Sequence, residues 1–266
     1  PVQSAGLFVK ALQYVKAFDG VLIQLPIDRS IGSSGLMNEG VISTQLGLPG
    51  LPSIAEISIL KRDLDLLKYS GSKIHFTGIT TKESLELIAA AKAAGLKVTC
   101  SVTPYHLYFC DEDLQDYNTY LKVNPPLRSR ADMLALREGV INGTVDCIAS
   151  HHFPQDWDHK ICEFEYASFG MNALESSFSV VNHLLGQLSN ERLVELFSLN
   201  ARNIFGLPST HIVENEVAEL TIYHRNQVAQ LKKESIKSKS FNNAFTNIEL
   251  NGKVYATINN GQLTIN

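Results

Sequence analysis

The chain has 266 residues, 44% of them hydrophobic, so it can bury the core of one large domain, or of a large and a small one. Its net charge of −4 comes from 23 basic and 27 acidic residues without a block of like charge, which argues against a nucleic-acid-binding surface. No apolar run approaches the roughly 20 residues of a membrane span, and the first residues lack the pattern of a secretory leader. The four cysteines form no CxxC pair, so we expect a reducing, cytoplasmic location and no disulfide framework.

Short apolar runs and helical patterns alternate along most of the chain. After an opening helix they predict, in order, a strand at 21–25, a helix at 51–71, a strand at 73–79, a helix at 80–95, a strand at 97–102, a weak strand at 120–123, a helix at 129–143, a strand at 146–152, and helices at about 174–187 and 190–205. Thr80 or Thr81 can cap the helix that follows them, and Glu83 fits a capping box with Thr80. This alternation is typical of a parallel sheet that is covered by helices, with polar residues at the carboxyl ends of the strands.

The pattern changes after about residue 212. The runs 218–224 and 253–266 alternate with period two, and Asn259-Asn260-Gly261 is a hairpin turn signal. We therefore predict two domains: a partial barrel at 1–212 and a small β segment of the sandwich type at 213–266.

The number of strands is too small for a closed (β/α)8 barrel, which needs eight. Four strong strands and one weak strand are visible, and half a barrel would expose its sheet edges. The chain also opens with PVQSAGLF, without an initiator methionine, and enters a helix at once. We expect that an N-terminal half is missing from this sequence or is supplied by another chain.

Three ordered segments carry a family resemblance: 35–56, 122–136, and the run from 102–107 through 146–154. They resemble dihydroorotase, most closely the long multifunctional-complex type of the amidohydrolase superfamily, and the resemblance extends from Pro1 to Asn266. It implies an α/β fold, the C-terminal part of a (β/α)8 TIM-type barrel with a small β appendage. It also implies a hydrolase that closes carbamoyl-aspartate to dihydroorotate or catalyses the reverse. In this family two zinc ions lower the pKa of a bridging water, and an Asp at the last strand moves the proton.

The positions that match the family's metal site carry other residues here. Leu25 stands where the family has a metal-binding His, and Gly78 stands where it has the next one. His151 takes the place of the catalytic Asp, and Gln155 replaces a His that contacts substrate. Leucine has no lone pair to donate and glycine has no side chain, so we expect zinc to be absent or weakly bound. The family's His-x-His pair and bridging acidic residue would lie upstream of Pro1.

Other polar residues leave alternatives open. Asn124, in Asn-Pro-Pro-Leu-Arg, matches a residue that contacts the substrate ring, or is a turn residue before two prolines. Lys122 and Arg128 are interpreted as structural, and His75 and His106 as core histidines with satisfied ring nitrogens.

The His151-His152 pair is the second open case. It is either a replacement acid/base, or a single-metal site with His106 or His159, or two polar residues at a strand end. Adjacent residues on a strand face opposite ways, which disfavours joint ligation of one ion. Trp157 is a lid anchor or a packing residue, and the sequence does not separate the two.

Two main functional hypotheses follow. The first is a non-catalytic dihydroorotase homologue that acts as a scaffold or partner, with aspartate transcarbamoylase or a second copy as its binding partner. The second is an active dihydroorotase whose remaining site residues come from the missing N-terminal half. A weaker third is a related hydrolase with one metal and another cyclic amide substrate. No GxGxxG, GxxxxGK[ST], GxSxG or HExxH motif supports a different chemistry.

Overall fold

Helices and short strands alternate in the computed structural model, which describes residues 1–266. In chain order the helices and strands are α1 (Ala5–Lys16), β1 (Leu22–Gln24), β2 (Met37–Asn38), α2 (Val41–Leu46), β3 (Gly50–Leu51), α3 (Ile54–Ser70), β4 (Ile74–Phe76), α4 (Lys82–Ala93), β5 (Val98–Val102), α5 (Pro104–Tyr108), α6 (Arg130–Ile141), β6 (Cys147–Ile148), α7 (Ser177–Leu184), α8 (Asn190–Val194), α9 (Asn200–Phe205), β7 (Leu220–Gln230), β8 (Glu249–Asn259) and β9 (Gln262–Ile265). None of the helices combines the length and apolar character that crossing a membrane requires.

The main sheet has four parallel strands in the order β1-β4-β5-β6. Its register aligns Ile23 with His75, and His75 with Thr99. Each strand lies beside the next main-sheet strand along the chain, which is the arrangement of successive βα units in an α/β barrel. Four strands are half of a closed barrel, so β1 and β6 lie at the two edges of this sheet.

The C-terminal residues form a separate antiparallel sheet in the order β7-β8-β9. The turn between β8 and β9 has Asn260 at φ +50° and Gly261 at φ +74°, as the hairpin signal predicts. Phe245 and Leu250 nevertheless belong to a core cluster with residues such as Met171 and Val180. The C-terminal sheet therefore packs on the α/β part, while the boundary at residue 212 stays a prediction.

Three local predictions are wrong, each because a tertiary contact prevails. Residues Thr119–Leu121 form a 3-10 turn and not a strand, and Lys122 is turned toward the carbonyls of Phe164 and Glu165. The strand expected at 146–152 ends at Ile148. Thr81 caps α4 by accepting from the Ser84 amide, and Glu83 pairs with Lys61 instead of closing a capping box with Thr80.

Thr80 has another role, because it binds the fully buried carboxylate of Glu56 on α3. That carboxylate accepts hydrogen bonds from the backbone amides of Thr80 and Thr81 and from both threonine hydroxyls. Arg128 donates to the Thr80 hydroxyl at 3.1 Å. Because Thr80 and Thr81 follow β4 directly, Glu56 fixes the loop at the carboxyl end of that strand.

We expect the substitution Glu56→Ala to lower the free energy of unfolding by about 3 kcal/mol, since it leaves several buried donors without an acceptor. Urea unfolding measures the change. Glu86→Ala is the matched control, because Glu86 is an exposed glutamate on α4 with only a 3.8 Å contact to Lys82, and it should change stability by less than about 0.5 kcal/mol. Equal losses in the two variants would contradict the role of Glu56.

Candidate functional site

The carboxyl ends of the parallel strands place the predicted site residues along one edge of the sheet. Leu25 follows β1, Gly78 follows β4, Thr103 follows β5 and His151 lies beyond β6. Backbone hydrogen bonds hold these segments together: the Gly78 amide donates to the Ser101 carbonyl at 3.0 Å, and the Ala149 amide donates to Val102 at 3.0 Å. The edge is where α/β folds keep their chemistry.

The imidazole of His151 lies directly over Gly78. A Cβ atom at position 78 would come closer than 3 Å to Cε1 of His151, and would be 3.2 Å from its Nδ1. The ring is held there by Thr77, whose hydroxyl is 2.7 Å from Nε2. His151 has φ +41°, outside any strand conformation, so its orientation does not follow strand alternation. The structure thus brings together two of the predicted site positions.

A continuous row of polar contacts leads from His151 into the sheet. The Ser101 hydroxyl donates to Thr77 at 3.2 Å, and the ring nitrogens of His75 lie 3.1 Å from the Ser101 hydroxyl and 2.9 Å from that of Thr99. The sequence prediction that His75 is a core histidine with satisfied ring nitrogens is confirmed. We call the five residues Thr99, His75, Ser101, Thr77 and His151 the edge network.

His106 is also fully engaged with protein atoms. Its Nδ1 lies 2.8 Å from the Thr103 hydroxyl, and its Nε2 lies 3.0 Å from the Pro125 carbonyl. Burial lowers the pKa of His106 to about 3, with a smaller contribution from His151, and burial lowers the pKa of His75 to about 4, with smaller contributions from Lys92 and His151. Burial also lowers the pKa of His151. These rings are therefore neutral at pH 7.

The residues at this edge do not fit a two-zinc centre. Leu25 and Gly78 offer no donor atom, and both ring nitrogens of His75 and of His106 are occupied. The only group of three or more His, Cys, Asp or Glu residues with donor atoms within 4.8 Å of one another is Asp156, Asp158 and His159. That group is exposed on the loop after β6, away from the sheet edge.

The alternative single-metal site is not formed. His152 and His151 have separate partners, because the His152 Nδ1 accepts from the Leu174 amide at 3.3 Å whereas His151 contacts Thr77. His159 lies in the exposed loop, and His106 has no free ring nitrogen. Trp157, on the same loop, is 71% exposed, so it is not a packing residue in this structure.

The two predicted substrate-contacting residues differ in environment. Asn124 is exposed, and its peptide bond to Pro125 is cis. The Gln155 side-chain amide donates to the Phe169 carbonyl at 2.9 Å, and its backbone amide donates to Asn242 Oδ1 at 3.2 Å. Their role in substrate binding stays a prediction.

The loop after β6 is held in place by residues near the C terminus. Ser240 donates to the Gln155 carbonyl, and the Asn242 side chain donates to the Gly170 carbonyl at 3.1 Å. The Asn172 side chain returns a bond to the Ser240 carbonyl at 2.7 Å. The segment that leads into β8 therefore fixes the loop that carries Gln155.

Three buried cations have structural roles. Arg128 binds Asn38 and the Leu51 carbonyl, and Lys122 binds the Phe164 and Glu165 carbonyls, as the sequence interpretation expects. Lys160 was not singled out by its sequence, since no local pattern marks it. Its ammonium donates to the carbonyls of Thr119 and Ser168 at 2.9 and 2.6 Å, and burial lowers its pKa to about 8.

Comparisons with known proteins agree with this architecture. No family model matches the sequence. The chain is similar to the dihydroorotase of Caldanaerobacter subterraneus subsp. tengcongensis, with 39% identity over 266 residues, covering 99% of this chain and 62% of that protein. It is 38% identical over 268 residues to the dihydroorotase of Acetivibrio thermocellus, covering 100% of this chain and 63% of that protein. The chain thus spans less than two thirds of the length of these relatives.

Solved structures show the same fold at lower identity. An L-hydantoinase (dihydropyrimidinase) from Arthrobacter aurescens matches with a TM-score of 0.85 and 22% identity, covering 100% of this chain and 61% of that one. A D-hydantoinase (dihydropyrimidinase) from Thermus sp. matches with a TM-score of 0.83 and 18% identity, covering 98% of this chain and 60% of that one. The α/β fold class predicted from the sequence is confirmed.

Acidification from pH 6.5 to pH 4 should destabilise the fold, because unfolding lets buried His75 and His106 take up protons. Their folded pKa values of about 4 and about 3 lie below the ordinary 6.5, so the unfolded state binds more protons across this window. The stability is fully present above pH 6.5 and is lost as the pH falls, by about 1.4 kcal/mol per pH unit for each histidine.

Urea unfolding at a series of pH values measures this slope. Carboxylates also titrate in this range, so His75→Gln is compared with the unsubstituted chain, and its slope between pH 6.5 and 4 should be shallower by about one proton. Identical slopes would mean that His75 is not kept neutral by burial.

Proposed function

Since the chain is a partial dihydroorotase homologue of the amidohydrolase superfamily, we propose that it is a non-catalytic member that keeps the fold as a scaffold or partner in pyrimidine biosynthesis. The observation that carries this proposal is the Gly78–His151 contact. One position that would bind metal has no side chain, and the ring at the position of the catalytic Asp fills the space above it. Leu25, at a third position, has no donor atom.

The chemistry of ring opening explains why these changes matter together. Hydrolysis of a cyclic amide needs a nucleophilic water near neutral pH and a group that carries a proton to the leaving nitrogen. A neutral imidazole with Nε2 on Thr77 is a poor substitute for a carboxylate that faces metal and substrate. The donor atoms at the sheet edge bind one another, so we derive no catalytic step through zinc.

The active alternative assigns the remaining site residues to a segment outside these 266 residues. His151 would then serve in place of Asp, and the native residues at the altered positions would be required for turnover. The two hypotheses predict opposite effects of restoring the family residues, which makes them separable in one assay.

We expect the full-length protein to bind no stoichiometric zinc and to give no turnover of dihydroorotate or carbamoyl-aspartate. Metal analysis of the purified protein and a spectrophotometric assay in both directions measure this, with the Acetivibrio thermocellus dihydroorotase as positive control. One or two zinc ions per chain together with turnover would contradict the proposal. In that case the triple variant Leu25→His, Gly78→His, His151→Asp should lower the activity if the altered residues are themselves functional.

The proposed partner is aspartate transcarbamoylase, with self-association as the other possibility and the cytoplasm as the proposed location. We expect the full-length protein to sediment in a stable complex when it is mixed with the aspartate transcarbamoylase of the same organism. Sedimentation velocity on each protein alone and on the mixture tests this. A larger species of the chain alone would indicate self-association, and two unchanged species in the mixture would contradict the aspartate transcarbamoylase assignment.

A further inference from the structure

We propose that Gly78 and His151 form a coupled pair, in which the imidazole of residue 151 occupies the space of a side chain at residue 78 and closes the sheet edge with protein atoms. The pair is remote in sequence but in direct contact, since a Cβ at Gly78 would lie closer than 3 Å to Cε1 of His151 and within 3.3 Å of both ring nitrogens. Real Cβ atoms do not make so close a contact, so either the ring or the side chain at 78 must be absent.

Glycine at position 78 is required for two separate reasons. Its φ of +69° lies in the left-handed region, where an L side chain is strained. The second reason is the imidazole itself. Gly47 separates the two effects, because it has a nearly identical φ of +68° with no atom within 4 Å of a Cβ built there.

His151 is held over Gly78 against the preference of its own backbone. A non-glycine residue at φ +41° is unfavourable unless surrounding contacts fix it. The contact with Thr77 provides this, and the edge network extends from Thr77 to Ser101, His75 and Thr99. The network thus ties the segment after β6 to β4 and β5, so the edge is closed without any ion.

This coupling is independent of the proposed function. It is a statement about packing and stability, whereas the proposed function concerns zinc and turnover. A chain that turns over dihydroorotate could still show the coupling, and an inactive chain could lack it.

A thermodynamic cycle on the full-length protein tests the pair. Urea unfolding midpoints are measured for the unsubstituted chain, Gly78→Ala, His151→Gly, the double variant, and Gly47→Ala as the matched control for backbone strain. Glycine is chosen at 151 because it tolerates the left-handed backbone while removing the ring. Gly78→Ala should lower the midpoint at least twice as much as Gly47→Ala does. With His151→Gly present, the effect of Gly78→Ala should fall to that of Gly47→Ala.

Each result either supports or overturns the pair. If Gly78→Ala alone does not fold but the double variant does, the proposal is supported. An equal midpoint shift in both backgrounds overturns it, as does a shift no larger than that of Gly47→Ala. Failure of both Gly78→Ala and the double variant, with Gly47→Ala folded, also overturns it. His151→Asn repeats the cycle with a second ring-free residue that adopts the left-handed region, and loss of folding in both single variants at 151 would contradict a role limited to closing the edge.

Discussion

The contact of 2.7 Å between the Thr77 hydroxyl and the His151 ring determines how the carboxyl edge of the sheet is organised. Parallel strands bring their carboxyl ends to one side, so polar side chains there must find partners in an environment with little water. In this chain each ring and hydroxyl of the edge network finds another protein group. The edge is therefore satisfied internally, and it offers no cluster of free donor atoms for an ion.

The rest of the fold is stabilised by groups that do not depend on that edge. Glu56 holds the turn after β4, Arg128 connects that turn to Asn38 and Leu51, and Lys122 and Lys160 bind carbonyls of neighbouring loops. Buried charges are tolerated only when such hydrogen bonds are complete, so these contacts are specific to one arrangement of the loops. This separation explains how the architecture persists while the residues of the presumed chemistry change.

The strands and helices of the α/β part could be predicted because their hydrophobic periodicity is local and strong. The weak strand at 120–123 could not be excluded in the same way, since its alternative conformation depends on Lys122 reaching carbonyls more than 40 residues away. The choice between Thr80 and Thr81 as cap depended likewise on Glu56, 24 residues before Thr80.

The candidate site was predictable in composition but not in geometry. Family resemblance located Leu25, Gly78 and His151, yet strand alternation suggested a regular strand through residue 152. The left-handed backbone at His151, which aims the ring at Gly78, has no sequence signal for a histidine. Lys160 carried no signal either, because its importance comes from three backbone carbonyls that only folding brings together.

The position of the His151 ring over Gly78 also has a historical consequence. A larger residue can return to position 78 only after the ring at 151 has gone, and a carboxylate introduced first at 151 would leave the Thr77 hydroxyl without its present partner. Either single reversal therefore passes through a less stable chain. Packing acts here as an evolutionary ratchet: the two positions can drift forward one at a time or revert together, but they resist reverting singly.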